Sequence, residues 1–391
     1  MEKMTEIYLD NSATTPLSTA AKEAIGRAMN VYGNPSSLHS VGQSAQKLVD
    51  EARRQVLSGL GVRPRRDAGA LVFTSSGTEA TSLALFGTAY AKERRDATRI
   101  LTTNSEHPSV ARVMDKLEAD GFEVIRISTR SGILDMDEVR AALDKKIFLA
   151  SFMLVNNETG AIYNVAEAFR TIKQKYPEAV THCDAVQGFM KVSFTPTTLC
   201  ADLITVSAHK LHAPKGVGAL YISAPMLKAK KIAPFILGGG QEDGMRSGTE
   251  NVIGISAFGA SVADIEKRRG EISAKAEALR AYADEKLSSL DVRVNRPAGS
   301  YLPNIINITL PRIKSETMLH ALSADGIFVS SGSACSSHSK HPSDSLSAFG
   351  LSAAEADQSL RISMSEYNTT EHIDDLCASL EKNIARLVKI R

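Results

Sequence analysis

Cysteine is scarce. Cys183, Cys200, Cys335 and Cys377 are the only four in 391 residues. They form no Cys-x-x-Cys pair and no zinc-like spacing, so no metal site is expected and a reducing compartment is. An excess of one charge sign is also missing: 46 Lys and Arg stand against 44 Asp and Glu, a net charge of +2. Without a strong field of either sign, neither nucleic acid nor an acidic membrane surface is expected as a direct partner. The one basic cluster, Arg63-Pro64-Arg65-Arg66, is short and turn-like, and reads as a solvated loop. No apolar run approaches a membrane span, and Met1 to Glu6 carries no basic region followed by an apolar stretch. Cytoplasmic residence is the resulting expectation. Internal repeats and low-complexity tracts are absent too, which sets aside solenoids and linker-rich chains.

What is present is ample apolar content, 43% of the chain, enough for a large core and two domains. Apolar runs at 70–74, 99–103, 122–127, 147–155, 202–206 and 218–222 alternate with amphipathic segments such as 107–120 and 164–175. That alternation predicts an α/β domain with a mostly parallel sheet sandwiched by helices. Ser256 to Leu290 is charged and free of proline, and reads as one long helix between two domains. Beyond it, strand-like 292–294, 305–309 and 360–363 and helical 315–324 and 371–388 predict a smaller α+β domain. The expected division is 17–258 and 259–391.

Candidate chemistry begins at Ser207-Ala208-His209-Lys210. The apolar run Leu203 to Val206 precedes it and Pro214-Lys215-Gly216-Val217-Gly218 follows. A lysine at the mouth of a buried strand is costly unless paired or covalently occupied. It is either a surface lysine at a strand end or the Schiff-base partner of the pyridoxal phosphate aldehyde. Asp184, after a strand-like run ending His182-Cys183-Asp184, is either a loop cap or the carboxylate that keeps a pyridine nitrogen protonated. Gln187 is placed to donate to a ring phenolate oxygen. In Leu71 to Ala80, the turn Ser75-Ser76-Gly77-Thr78 leads from a strand into a helix. It is either a plain helix cap or a phosphate cradle of free N–H groups.

These motifs belong to an ordered set. With them stand Tyr8-Leu9-Asp10-Asn11-Ser12-Ala13-Thr14-Thr15-Pro16, Gly33 to His39, Glu106-His107-Pro108, Asn156 to Gly160 and Gly238 to Glu242. Arg246-Ser247-Gly248-Thr249, Ser330 to Cys335 and Leu360 to Ser363 complete it. The chain resembles the cysteine desulfurase family, pyridoxal-phosphate enzymes of fold type I, the aspartate-aminotransferase-like fold. The resemblance implies removal of sulfur from L-cysteine to give L-alanine and a persulfide on Cys335. The sulfur then passes to an acceptor protein, as in iron–sulfur cluster assembly or tRNA thiolation. It implies Lys210 as Schiff-base lysine and proton carrier, His107 stacked on the ring, and Asp184 at the ring nitrogen. Gly77, Thr78, Ser207 and His209 would anchor the phosphate, with Thr249 reaching the neighbouring subunit of a homodimer. Asn157 would lie beside the phenolate and substrate carboxylate, and Asn11 and Arg361 are candidate carboxylate clamps, Arg361 the better because its fork binds bidentately. The N-terminal arm, 1–16, would pack on the small domain.

Cys335 sits among Ser331 to Ser339, small and polar residues that suit a thiolate moving toward a substrate sulfur; His338 and His341 lie near it in sequence. Some positions depart from the family pattern. Ser76 precedes Gly77 in place of glycine, Thr81-Ser82 replace paired asparagines, and Met245 replaces an arginine. Ala213 and Ser12 replace glycine and alanine. None removes a reacting group. The nearest rival activities are selenocysteine lyase and cysteine sulfinate desulfinase on the same fold. A transaminase would leave Cys335 idle, and a non-catalytic scaffold would leave every group idle.

Overall fold

The computed structural model describes residues 6–63, 68–91, 97–331 and 343–387. Cys335, His338 and His341 lie outside them, as do Pro64, Arg65 and Arg66.

The larger sheet has seven strands: β1 (Ala70–Thr74), β2 (Arg99–Thr103), β3 (Glu123–Ile127), β4 (Ile147–Met153), β5 (Val180–Asp184), β6 (Leu203–Ser207) and β7 (Gly218–Ile222). Their spatial order is β1-β7-β6-β5-β4-β2-β3. Neighbours pair in parallel except β7, which runs against both β1 and β6. Strands β2, β4, β5, β6 and β7 are buried along their whole length. Helices cover both faces of such a sheet, so its strands read as unbroken apolar runs rather than as alternation.

The covering helices start where capping chemistry permits. Helix α1 (Thr19–Ala28) has Ser18 accepting from the Ala21 amide, and α2 (Ser40–Gly59) has His39 accepting from Gly42. Helix α3 (Gly77–Ala89) begins with Ser76 accepting from the Glu79 amide. Helix α4 (Pro108–Ala119) has His107 as cap and proline in its first turn, where the missing N–H costs nothing. Helix α5 (Val165–Lys175) covers the other face with Val165, Ala168, Phe169 and Ile172.

Helix α6 (Val252–Ser288) joins two apolar cores. Its first half sends Val252, Ile255, Phe258, Val262 and Ile265 into the large core, and its second half sends Leu279, Ala283 and Leu287 into the small one. Each fully buried leucine there contributes roughly 1.5–3 kcal/mol. The smaller sheet is antiparallel, with order β10-β11-β9-β8 for β8 (Arg293–Val294), β9 (Ile305–Thr309), β10 (Ser330–Ser331) and β11 (Ser359–Ser363). Helices α7 (Ser315–Ala324) and α8 (Thr370–Arg386) pack on it through Met318, Leu322, Ile373, Leu376 and Leu380. The N-terminal arm enters this core with Ile7 and Leu9, and Ile7–Tyr8 pairs in parallel with Ile327–Phe328.

The long helix begins four residues earlier than the expected 256, because Asn251 accepts from the Gly254 amide and sets the start there. The strand expected over 147–155 ends at Met153. Leu154 and Val155 stay buried but leave the ladder for the turn that carries Asn157. Among the described residues no helix is long and apolar enough to cross a membrane.

Candidate active site

Strands β2, β4, β5 and β6 are parallel and aim their carboxyl ends at one edge of the sheet; β1, antiparallel to β7 like β6, does the same. Ligands of open α/β sheets bind outside that edge. A cavity of about 270 Å³ lies there. Gly77 and Thr78 reach it from β1, His107 from β2, and Asn157 from β4. Asp184 and Gln187 reach it from β5, and Ser207, His209 and Lys210 from β6. Arg361 enters from β11 of the smaller sheet. Ten expected site residues therefore meet in one cavity.

Lys210 Nζ donates to the carbonyls of Ser12 and of Ala13, the latter at 2.8 Å. The N-terminal arm thus passes directly over the lysine. It is held there by Thr15, whose amide and hydroxyl both donate to His209 O at 3.0 and 2.9 Å.

Asp184 is buried, and burial pushes its carboxyl from the ordinary 3.8 up to about 6, with the Val186 amide and Lys210 pulling the other way. It is ionised at neutral pH and suited to face a cationic ring nitrogen. Burial, reinforced by the Lys210 charge, lowers both His107 and His209 to about 4. Both imidazoles are neutral at pH 7. Nδ1 of His107 accepts from the Ser109 amide at 3.1 Å, so its proton sits on Nε2. A neutral flat ring of this kind can stack on a cofactor and exchange a proton.

The polar atoms left unpaired define what fits. Ser207 Oγ and Gln187 Oε1 are buried with no partner among the described residues. Gln187 Nε2 gives one proton to Ser12 O at 2.9 Å and keeps a second for a ring oxygen. Ser207 lies beside the amino end of α3, where the first amides have no intrahelical acceptor. A Cβ on Gly77 would come within 3.3 Å of Ser207 Cβ and 3.2 Å of Val186 Cγ2. The glycine therefore keeps a space open between a free hydroxyl and a helix dipole, where a phosphate fits. Gly218 guards the same space from behind: a Cβ there would lie 2.3 Å from the Ser76 carbonyl carbon. Donor set, carboxylate, lysine and cradle together suit pyridoxal phosphate.

Other expectations fare differently. Asn11 does not line this cavity but an adjacent one of about 550 Å³. Its amide protons go to Ser363 O at 2.9 Å and, more loosely, to Tyr8 O and Asn368 Oδ1. Its donors are occupied, and of the two candidate clamps Arg361 is the one that lines this cavity. Thr249 is exposed and lines no part of its own chain's cavity. Cys335 lies outside the described residues.

Several supporting residues escaped the sequence reading. Arg246 Nε donates to Glu79 Oε1 at 2.8 Å, tying the loop that carries Thr249 to the first turn of α3. Glu106 accepts from Thr103 Oγ1 at 2.7 Å and the Met153 amide at 2.9 Å, and burial raises it to about 8. His182 is wholly buried beneath Asp184 on the same strand, bonded to Ser151 at 2.8 Å and Thr205 at 2.9 Å. The Glu-His and His-x-Asp spacings were visible, but only burial reveals their use. Met245, in place of a basic residue, packs partly buried against the core under α3.

A fold of this topology, with a lysine, a carboxylate and an anion cradle at the strand ends, defines a pyridoxal-phosphate enzyme of fold type I. Comparison agrees: the model of the aminotransferase class-V family matches residues 7–376. A cysteine desulfurase of Nostoc sp. is 39% identical over 389 residues, covering 98% of this chain and 94% of that one. A solved NifS-like protein superposes with a TM-score of 0.89 at 34% identity, over 98% of this chain and all of that one. SspA, solved in complex with cysteine, superposes with a TM-score of 0.79 at 28% identity, over 93% of this chain and 100% of that one. The chain belongs to the cysteine desulfurase family, within the aminotransferase class-V enzymes.

Proposed function

We propose that this chain takes sulfur from L-cysteine, releases L-alanine, and carries the sulfur as a persulfide on Cys335 for transfer to an acceptor protein. The observation that carries the reading is the meeting of Lys210, Asp184 and the Gly77–Ser207 cradle in one cavity with Arg361. Lys210 would hold the cofactor aldehyde, Asp184 the ring nitrogen, and Asn157 and Gln187 the ring oxygen side. Gly77, Thr78, Ser207 and His209 would hold the phosphate. Bound pyridoxal phosphate supplies an electron sink for the pair left when a bond at the substrate Cα breaks.

The protein's own groups do the rest. Arg361 binds the α-carboxylate and sets the orientation of the substrate. Lys210 Nζ takes the Cα proton and later returns it, and neutral His107 holds a further proton at Nε2. The Cys335 thiolate forms an S–S bond to the substrate sulfur as the Cβ–S bond breaks. Carbon keeps that electron pair and takes up a proton, so alanine leaves and the cysteine is left as a persulfide.

The active unit proposed is a homodimer in which Thr249 of the partner subunit completes the phosphate site. Its support is the exposed apolar set Tyr32, Leu38 and Leu237, at 87%, 91% and 77% exposure. Residues 17–258 are proposed as the cofactor-binding domain and 259–391, with the arm 1–16, as the small one. The few cysteines support a cytoplasmic setting. Mass spectrometry after L-cysteine treatment tests the proposal. One added sulfur on Cys335, with alanine released, is expected; alanine without added sulfur overturns the persulfide step. A borohydride-trapped cofactor adduct that still forms on the protein in Lys210→Ala overturns the lysine assignment.

A further inference from the structure

Arg361 is buried at 4% exposure, and its guanidinium is already partly engaged. Nη2 donates to Asp10 Oδ1 at 2.7 Å, and Nη1 donates to the carbonyl of Asn157 at 3.2 Å. Nε–H is buried and meets no acceptor among the described residues. A buried donor without a partner is costly, and one that borders a ligand cavity is a donor kept for the ligand.

We propose that Asp10 is a positioning residue for substrate recognition: its carboxylate fixes the Arg361 fork so that the remaining N–H groups face the cavity and take the substrate α-carboxylate. This rests on the desulfurase reading given above.

Two features separate this from simple anchoring of the N-terminal arm. First, backbone bonds already anchor the arm. Leu9 N donates to Phe328 O at 2.8 Å, Asn11 N to Ser363 O at 3.1 Å, and Ser363 N to Leu9 O at 2.7 Å. Tyr8 OH adds a bond to the Asp10 carbonyl at 3.1 Å and one to Thr14 O at 2.9 Å. The Asp10 side chain is spare for this purpose. Second, the bridge between Asp10 and Ser363 sets the arm in register beside β11, two residues from Arg361. An arginine has five N–H donors in a rigid plane. One acceptor on each terminal nitrogen stops that plane from rotating, and the open edge is left with a fixed direction. Asp10 also nearly neutralises a buried cation before substrate arrives. Substrate binding is then selective for a carboxylate that meets the open N–H groups, not for any anion drawn to an isolated charge.

The test uses the cofactor-loaded protein. L-alanine binding is read from the change in cofactor absorbance, and L-cysteine turnover gives KM and kcat. Asp10→Ala is expected to weaken L-alanine binding and to raise KM for L-cysteine about tenfold or more, while kcat changes less than about threefold. Asp10→Asn keeps an oxygen acceptor for Nη2 and is expected to stay within about threefold of the parent protein. Cysteamine, which has no carboxylate, is expected to perturb the absorbance of parent and variants at the same concentrations. If Asp10→Ala does not yield folded, cofactor-loaded protein, Asp10→Ser, which withdraws the acceptor but keeps a polar side chain, takes its place. Unchanged L-alanine binding in Asp10→Ala or Asp10→Ser overturns the proposal. So does equal weakening of cysteamine, or an Asp10→Asn variant as weak as Asp10→Ala. A parent protein that binds the cofactor but responds to neither amino acid overturns the desulfurase reading instead.

Discussion

Asp184 should destabilise the cofactor-free protein, and Asp184→Asn should relieve it. Burial raises this carboxyl from 3.8 to about 6, and at about 1.4 kcal/mol per pH unit that rise is worth roughly 3 kcal/mol. The folded chain binds the proton more tightly than the unfolded chain does. Between about pH 4 and pH 6 the folded state therefore holds more protons, and stability falls as pH rises through that window. Above about pH 6 the full penalty is present. Asp184→Asn keeps an oxygen to accept from the Val186 amide, which donates at 3.0 Å, but carries no charge to bury. The new amide protons require acceptors, so the expected gain at pH 7.5 is about 1–3 kcal/mol.

The assay is thermal or denaturant unfolding of the protein stripped of cofactor, for parent and variant, from pH 4 to 8. The two curves should meet near pH 4 and separate by pH 7. Glu106, which burial raises to about 8 with the Asp184 charge adding to the rise, is relieved in part by the same substitution, so the difference between the curves includes that coupling. Cofactor should reverse the ranking, because a cationic ring nitrogen stabilises the carboxylate and does nothing comparable for the amide. The variant is accordingly expected to lose about a hundredfold or more in turnover. Parallel pH profiles, or a cofactor-free variant less stable than the parent at pH 7.5, would refute the reasoning.

Gly218→Ala should force the Ser76–Gly77 turn to move, since the new Cβ would lie 2.3 Å from backbone carbon and 2.7 Å from the Gly77 nitrogen; equilibrium cofactor titration should show affinity reduced about tenfold or more. Arg246→Leu and Glu79→Gln should each lower stability by about 1–3 kcal/mol. Combined they should cost less than the sum, as a double-mutant cycle of unfolding curves will report, because the pair is only 22% and 13% exposed. Glu106→Gln should leave the cofactor-free protein near parental stability at pH 5 and make it more stable at pH 8.5. The folded carboxyl titrates near 8 against an ordinary 4.5, so the parent loses stability as pH rises between those values. Unfolding midpoints at the two pH values check this.

Most of the large sheet was legible because strands covered on both faces are largely apolar, and each run except that of the antiparallel β7 ends where the chain meets the ligand edge. Asp184, the last residue of β5, and Lys210, three residues beyond β6, stood out as polar groups at the ends of such runs, whereas His107, four residues beyond β2, was marked only by the family resemblance. Helix α2 was not read. Its buried residues Ala45, Val49, Ala52 and Val56 have helical spacing, but two are alanines, which pack closely against α6 without writing a strong apolar stripe.

The residues that support the site were less legible than those that react. A reacting group must be a certain chemical type, so lysine, carboxylate and glycine turn announce themselves. A supporting group need only offer one acceptor at one place, which almost any polar residue does. Arg361 and Asp10 are 351 positions apart, and Arg246 and Glu79 are 167 apart, so no local pattern marks either pair. The neighbouring residues Asp10 and Asn11 show the consequence. The Asn11 amide was the second candidate clamp beside Arg361, and its donors go to the carbonyls of Tyr8 and Ser363 and to Asn368. The carboxylate beside it, which repels a substrate carboxylate on its own, sits against the arginine instead. Recognition of an anion is thereby assisted by an anion, because what the buried guanidinium lacks is a fixed direction, and charge it already has.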